Sequence, residues 1–212
     1  MRQSPNGRAF TLIEMLVVMA VIAILAGLIL STNSYAQKKA AIERAKGEIA
    51  ALSAACENFK ADTGVYPSTK DTEKLDPRKD GSPSSSKYEL ASLDLYKLLN
   101  ADEDADGIPE KGGKSYAADF FNPSRMSIDK SSKKVRYLQD PFGNCYGYST
   151  AGNKQSQEYR AELEKNPKAK RPTGPALEGY NQTFDLWSTG GVMSKGKGAV
   201  TEADQNKWVK NW

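Results

Sequence analysis

The residues of this chain most able to do chemistry are the carboxylates of the segment DEDADGIPE, residues 102–110. Three alternate aspartates and a glycine form the D-x-D-x-D-G start of a calcium loop, in which alternate carboxylates converge on one cation. They are Asp102, Asp104, Asp106 and Gly107. Glu110, at the ninth position, is a further candidate ligand, whereas the twelfth position is Gly113 rather than glutamate. Two interpretations remain open, a calcium site and a solvated loop extended by charge repulsion.

A second candidate is Glu14, the single carboxylate in the apolar run of residues 10–30. A carboxylate inside a membrane-spanning helix costs roughly 2.5–3.5 kcal/mol on insertion scales, so such residues usually mark a function or a specific partner. The plainer interpretation places Glu14 near the lipid headgroups, where its charge is tolerated.

The composition argues against several classes of function. The 212 residues contain no histidine, which removes the commonest general base and metal ligand. The sequence also has no recognisable nucleophile motif or phosphate-binding loop, and its formal charge of +4 gives no strong signal for nucleic-acid binding. We therefore expect neither an enzymatic activity nor a nucleic-acid partner.

The apolar run of residues 10–30 is long enough to cross a membrane, because a helix of about 20 residues spans the ~30 Å hydrocarbon core. Arg2 and Arg8 precede it and polar residues follow, which predicts a cytoplasmic N-terminus and an exported remainder. A cleaved secretory signal is the alternative. It is disfavoured because the run exceeds the usual ~7–15 apolar residues and helix-forming sequence continues past Ser34.

The sequence GRAFTLIEMLVVMAVIAILAG closely resembles the N-terminal signal of type IV pilins and of the pseudopilins of type II secretion systems. The resemblance implies that a prepilin peptidase cuts between Ala9, which stands where glycine is usual, and Phe10. Phe10 then becomes an N-methylated terminus and Glu14 the fifth mature residue. The implied role of Glu14 is to pair with the Phe10 amine of a neighbouring subunit during filament assembly.

Helix-forming sequence continues through residues 31–60, which contain no proline. Apolar positions recur there at helical spacing and form one stripe, predicted to pack on a globular domain, with a coiled-coil dimer as the alternative. The stripe consists of Tyr35, Ile42, Ala45, Ile49, Leu52, Cys56 and Phe59. Gly64 and Pro67 are predicted to end the helix, and together with Tyr66 they resemble the Gly-x-Tyr-Pro element of pilin-like proteins.

Beyond the helix, residues 68–87 predict an exposed loop, and residues 89–101 a short amphipathic helix. Strands are predicted at residues 135–138, 146–150 and 184–188. Residues 152–179 are predicted to form an insertion between the second and third of these strands. It contains a short helix at QEYRAELEK and the basic stretch NPKAKRPTGP. The basic stretch is either a solvated face or a contact with an acidic partner or a neighbouring subunit.

Two later segments resemble one type of pilin-like protein in particular, the major pseudopilin of type II secretion. DPFGNCY matches at Asp140, Pro141, Gly143, Asn144 and Tyr146. FDLWSTG matches at Phe184, Asp185, Leu186, Ser188 and Gly190, and the end of the chain matches at Asn211 and Trp212. In that family the second segment leads into a calcium loop. Here Val192 and Met193 replace the expected acidic ligand, which leaves Glu202 and Asp204 as the side-chain candidates.

Cys56 and Cys145 are the only cysteines. An exported domain permits a disulfide between them, and the alternative is two small buried apolar residues.

We expect an α+β fold, in which a long N-terminal helix packs on a small antiparallel sheet. The expected divisions are a leader (1–9), a membrane and filament-core helix (10–30), its amphipathic continuation (31–60) and an exported domain (61–212). The resemblance implies a single-pass inner-membrane protein with a periplasmic domain, which assembles into a helical homo-oligomer that is periplasmic or extracellular. Its implied partners are prepilin peptidase, minor pseudopilins and the inner-membrane assembly platform. The alternatives are a surface pilin and a signal-anchored periplasmic binding protein.

Overall fold

A computed structural model describes residues 11–191 and 201–212, without the side chains of residues 28–34. Ala9 and Phe10, and the segment from Val192 to residue 200, lie outside the described residues. The chain divides into two compact units, Met1–Ala40 and Ala41–Trp212. The first helix, α1, spans Leu12–Thr63.

The first unit contains the N-terminal part of α1. Eleven large apolar side chains between residues 12 and 25 are each at least 50% exposed. Within the residues that the structure describes, no helix combines the length and the apolar character needed to cross a membrane.

The second unit contains the C-terminal part of α1, whose predicted apolar stripe is buried. Ala45, Ile49, Leu52 and Cys56 belong to the main core, and Ile42 and Phe59 pack at its edge. Tyr35, the first residue of the predicted stripe, is instead 73% exposed and belongs to the first unit. The helix ends as predicted, because Gly64 adopts a φ of 82°, which residues with a Cβ rarely adopt.

The prediction of an exposed loop at residues 68–87 is wrong. A short helix, α2 (Lys70–Lys74), forms there, and Thr69 and Thr72 cap its N-terminus reciprocally. Leu75 directly follows α2 and is fully buried in a second apolar cluster. This second cluster consists of Leu75, Tyr88, Ala91, Cys145, Trp187 and Trp208. Thr72, just before Leu75, is also fully buried, and its hydroxyl forms a hydrogen bond of 2.8 Å with that of Thr150, so apolar burial and polar contacts together hold this segment against the rest of the domain.

The next helix, α3 (Ser86–Asn100), confirms the predicted amphipathic helix, although Leu90, within the predicted range, is 45% exposed. The buried face consists of Tyr88, Ala91, Ser92, Leu95, Tyr96 and Leu99.

Two small antiparallel sheets complete the core. The first pairs β1 (Met126–Ile128) with β2 (Val135–Leu138). The second has the order β3 (Gly147–Ser149), β4 (Asp185–Ser188) and β5 (Val209–Lys210). The prediction of about three strands in one sheet therefore underestimated the strand content, while the α+β fold class is confirmed and is consistent with a pilin-like fold.

Strands β3 and β4 are buried on both faces. The indole of Trp187 lies directly against Gly147, where an added Cβ would stand 2.2 Å from a ring atom. Trp187 also stacks on Trp208 and donates a hydrogen bond of 3.0 Å from Nε1 to the hydroxyl of Tyr88. Trp187 belongs to the second apolar cluster, whereas its neighbour Leu186 belongs to the main core.

The insertion begins with a longer helix than the sequence predicted. Helix α4 spans Ala151–Lys165, and only Ala151 and Gly152 are buried. Helix α5 (Glu202–Gln205) precedes β5 near the end of the chain.

Candidate functional site

The start of α1 places Glu14 in a reciprocal cap with Thr11. The Glu14 carboxylate accepts hydrogen bonds of 2.8 Å from both the backbone N–H and the hydroxyl of Thr11. The Thr11 hydroxyl oxygen in turn accepts a hydrogen bond of 3.3 Å from the Glu14 backbone N–H. This is the capping-box arrangement, which satisfies backbone N–H groups that have no partner within the helix.

The cap gives Glu14 a local structural role that the assembly interpretation did not include. Its sequence signal, Thr-x-x-Glu directly before an apolar run, is present as Thr11 and Glu14 and could have been read. Both hydrogen bonds from Thr11 go to Oε2. The other carboxylate oxygen, Oε1, therefore accepts no hydrogen bond from Thr11 and can receive a second donor while the cap persists.

The predicted calcium loop brings its three aspartates together. Carboxylate oxygens of Asp102, Asp104 and Asp106 lie within 4.8 Å of one another. Asp102 is fully buried, whereas Asp104 and Asp106 are exposed. The backbone N–H of Gly107 donates to Asp102 Oδ2 at 2.9 Å, and the N–H of Asp106 donates to Asp102 Oδ1 at 3.2 Å. The loop is therefore folded around Asp102 and is not extended.

The chemistry of this cluster fits a hard cation such as calcium, because all three groups offer carboxylate oxygens. Asp102 already accepts hydrogen bonds from backbone N–H groups and from the hydroxyl of Tyr96. Lys134 lies 3.7 Å from Asp104 and offsets part of the negative charge. Glu110 does not join the cluster. Calcium at this loop stays a prediction.

The second predicted calcium loop is described only at its C-terminal end. Glu202 is exposed, and Asp204 accepts a hydrogen bond of 2.6 Å from the hydroxyl of Thr201, which caps α5. In the described part of the chain, neither residue joins a cluster able to hold a metal ion. Val192 and Met193 lie outside the described residues.

Cys56 and Cys145 are free, buried thiols, so the structure contradicts the disulfide and supports the alternative of two small buried residues. Cys56 belongs to the main core, while Cys145 belongs to the cluster around Trp187. Burial raises the pKa of both thiols far above the ordinary value, which keeps them protonated.

The two distal segments that resemble the major pseudopilin carry structural carboxylates. Asp140 Oδ1 accepts hydrogen bonds from the backbone N–H groups of Phe142 at 3.0 Å and Asn144 at 2.8 Å. Asp140 Oδ2 accepts one from the hydroxyl of Ser188 on β4. Asp140 therefore shapes its own turn and joins it to the central strand, and burial raises the pKa of its carboxyl group.

Asp185, on the same strand, organises the end of the insertion. Its carboxylate accepts hydrogen bonds from the backbone N–H groups of Tyr180 at 2.8 Å and Asn181 at 2.9 Å. Burial raises its pKa to about 6, although these hydrogen bonds act in the opposite direction. Asn211 fixes the chain end, since its Oδ1 accepts a hydrogen bond of 2.9 Å from the N–H of Leu186.

Glu48, a buried carboxylate on α1, was not predicted from the sequence. It is 4% exposed and pairs with Arg44 at 2.9 Å and Arg125 at 3.1 Å, and the hydroxyl of Tyr146 donates to it at 2.8 Å. These contacts tie α1 to the segments carrying Arg125 and Tyr146. Its position one residue before Ile49 on the apolar stripe was the available signal.

Comparisons with known proteins give matches in the N-terminal region of the chain. A family described as the prokaryotic N-terminal methylation motif matches residues 5–30. The chain carries a prepilin-type N-terminus. Its N-terminal region is also similar to type II secretion system core protein G of Pseudomonas aeruginosa, with 42% identity over 60 residues. That alignment covers 28% of this chain and 42% of the relative's length. No solved structure gives a significant match.

Proposed function

We propose that this prepilin-type protein is a structural subunit of a pseudopilus, a filament that serves type II protein secretion. The observation that carries the proposal is the N-terminal methylation motif at the head of a long helix with an exposed apolar surface. The similarity to type II secretion system core protein G supports an assignment to protein secretion. The DPFGN and FDLWS segments, which resemble the same protein class, give further support.

In this proposal, prepilin peptidase cuts between Ala9 and Phe10, and Phe10 is N-methylated. The apolar side chains of residues 12–25 would be covered first by lipid and then by the same helices of neighbouring subunits. Exchange of one apolar environment for another costs little, so a subunit stored in the inner membrane can move into a filament core. The domain beyond the helix would then remain in the periplasm.

Glu14 sets the axial position of each subunit in the proposed filament. Its Oε2 caps its own helix. Its Oε1 accepts a charge-assisted hydrogen bond from the N-terminal amine of Phe10 of a neighbouring subunit. An ion pair in an apolar surrounding keeps its two partners together, since either charge left alone is unfavourable. Subunits are therefore added at one stagger only. Minor pseudopilins and an inner-membrane assembly platform complete the proposed partners.

The mature N-terminus tests this proposal directly. Mass spectrometry of the protein from bacteria that contain prepilin peptidase should find an N-methylated Phe10. An intact leader, or cleavage near Ser34, would contradict a filament subunit. Loss of a secreted protein from the medium after deletion of this gene would support the pseudopilus, whereas loss of surface filaments with normal secretion would favour the type IV pilus.

A further inference from the structure

The insertion builds a pocket whose charged lining is mostly arginine. The pocket has a volume of about 610 Å³ and lies between α4 and the segment of residues 171–182. Arg78, Arg160 and Arg171 line it, together with a single carboxylate, Glu178. Glu178 lies 3.5 Å from Lys79, so its charge is already partly balanced. The pocket therefore carries an excess of positive charge.

Hydrogen bonds across the insertion hold this pocket in shape. Gln155 on α4 donates to the carbonyl of Ala176 at 2.7 Å and accepts from the N–H of Glu178 at 3.1 Å. Asn153 donates to the carbonyl of Gln182 at 2.9 Å. These bonds join α4 to the returning chain at three points. The arginines consequently stand on a fixed frame.

Arg78 is itself held in place. Its Nε donates to the carbonyl of Gly179, and its guanidinium lies 4.1 Å from the ring centre of Tyr180. Arg160 and Arg171 are exposed, and neither forms an ion pair within the part of the chain that the structure describes. A guanidinium binds carboxylates through paired hydrogen bonds, so the free groups here suit an acidic protein segment.

The same chain displays a suitable acidic segment elsewhere. Residues 102–110 contain five carboxylates and no basic residue. Glu103, Asp106 and Glu110 are exposed, and across the described residues their carboxylates form no ion pair. Buried Asp102 holds this loop in its fold by accepting a hydrogen bond from the backbone N–H of Gly107. No residue of the loop lines the arginine pocket, so one subunit can use both surfaces at once.

We propose that the arginine pocket binds the acidic loop of a second copy of this chain. Two different surfaces that meet in this way form a heterologous contact, which repeats from subunit to subunit and generates a helical array. The inference rests on the proposed filament function and assigns a second contact to it, outside the N-terminal helix. Exposed charges of opposite sign also favour one docking orientation and disfavour others.

Charge reversal in the full-length protein tests this contact in bacteria that assemble the filament. The first variant carries Arg160→Glu with Arg171→Glu, and the second carries Glu103→Lys with Glu110→Lys. Each should lower the sedimentable filament fraction about tenfold or more, since like charges then face each other. The variant with all four changes should regain most of the assembly. The matched control, Lys168→Glu with Lys170→Glu, makes the same charge change in the insertion outside the pocket.

The outcomes separate this contact from the filament function itself. Normal assembly of either charge-reversed pair would overturn the contact and leave the filament proposal intact. Failure of the fourfold variant to recover, with a melting temperature equal to that of the wild type, would also overturn it. Normal filaments with lost secretion in the arginine variant would assign the pocket to a different acidic partner. Failure of the wild type to form filaments would instead overturn the proposed function.

Discussion

Replacing Glu14 by glutamine separates the two roles that the structure and the proposed function give to this residue. Glutamine retains a side-chain oxygen, so it can still accept the hydrogen bonds from Thr11 that cap α1. It carries no charge and cannot form an ion pair with the Phe10 amine of a neighbour. Glu14→Ala removes both roles, and Thr11→Val removes only the hydroxyl half of the cap.

The expected magnitudes differ enough to be resolved. Loss of a helix cap costs about 1 kcal/mol, and loss of one partner of a buried ion pair costs about 3–5 kcal/mol. With tenfold for every ~1.4 kcal/mol, we expect Thr11→Val to weaken subunit addition by about fivefold. By the same conversion, Glu14→Gln should weaken it by about 100-fold or more. Glu14→Ala, which also removes the cap, should weaken it by about a further fivefold.

The assay is the sedimentable filament fraction over a series of expression levels, with cleavage at Ala9 followed on the same samples. Cleavage should be normal in all three variants, because none changes the bond that is cut. The reasoning would be refuted if Glu14→Gln assembled like the wild type while Glu14→Ala and Thr11→Val lost assembly equally. In that case the helix cap alone would account for the role of Glu14.

Three further predictions concern the second unit of the chain. Millimolar calcium should raise the melting temperature of the wild type and leave that of Asp104→Ala unchanged, and equal shifts in both would exclude a site at this loop. Because the folded pKa of Asp185 is about 6 against an ordinary value of 3.8, the folded state binds this proton more tightly than the unfolded state does. This group should therefore lower the free energy of unfolding by about 2 kcal/mol as pH rises from 4 to 7. Urea titrations should show that fall reduced in Asp185→Asn, and an unchanged pH profile would contradict it. Gly147→Ala should destabilise the domain by about 1–3 kcal/mol through its clash with Trp187, whereas Gly47→Ala, with open space around it, should raise the melting temperature slightly. Equal melting temperatures in the two alanine variants would refute the packing explanation.

The sequence alone determined those features that depend on neighbouring residues. The N-terminal motif, the apolar stripe from Ile42 to Phe59 and the helix end at Gly64 are local or periodic, so propensity and spacing were sufficient. The Thr11 and Glu14 cap is equally local and was missed only because Glu14 was interpreted through its charge. The three aspartates of the acidic loop also converge as their spacing predicted.

Tertiary structure decided the features that depend on distant segments. Leu75 is buried because a second apolar cluster covers it, and polar neighbours gave no sign of that cluster. Cys56 and Cys145 are separated because the core has two clusters, which residue types cannot reveal. The arginine pocket combines Arg78 with residues of the insertion through the chain path around Gly179. Such proximity follows from packing between segments far apart in sequence, and no local pattern encodes it.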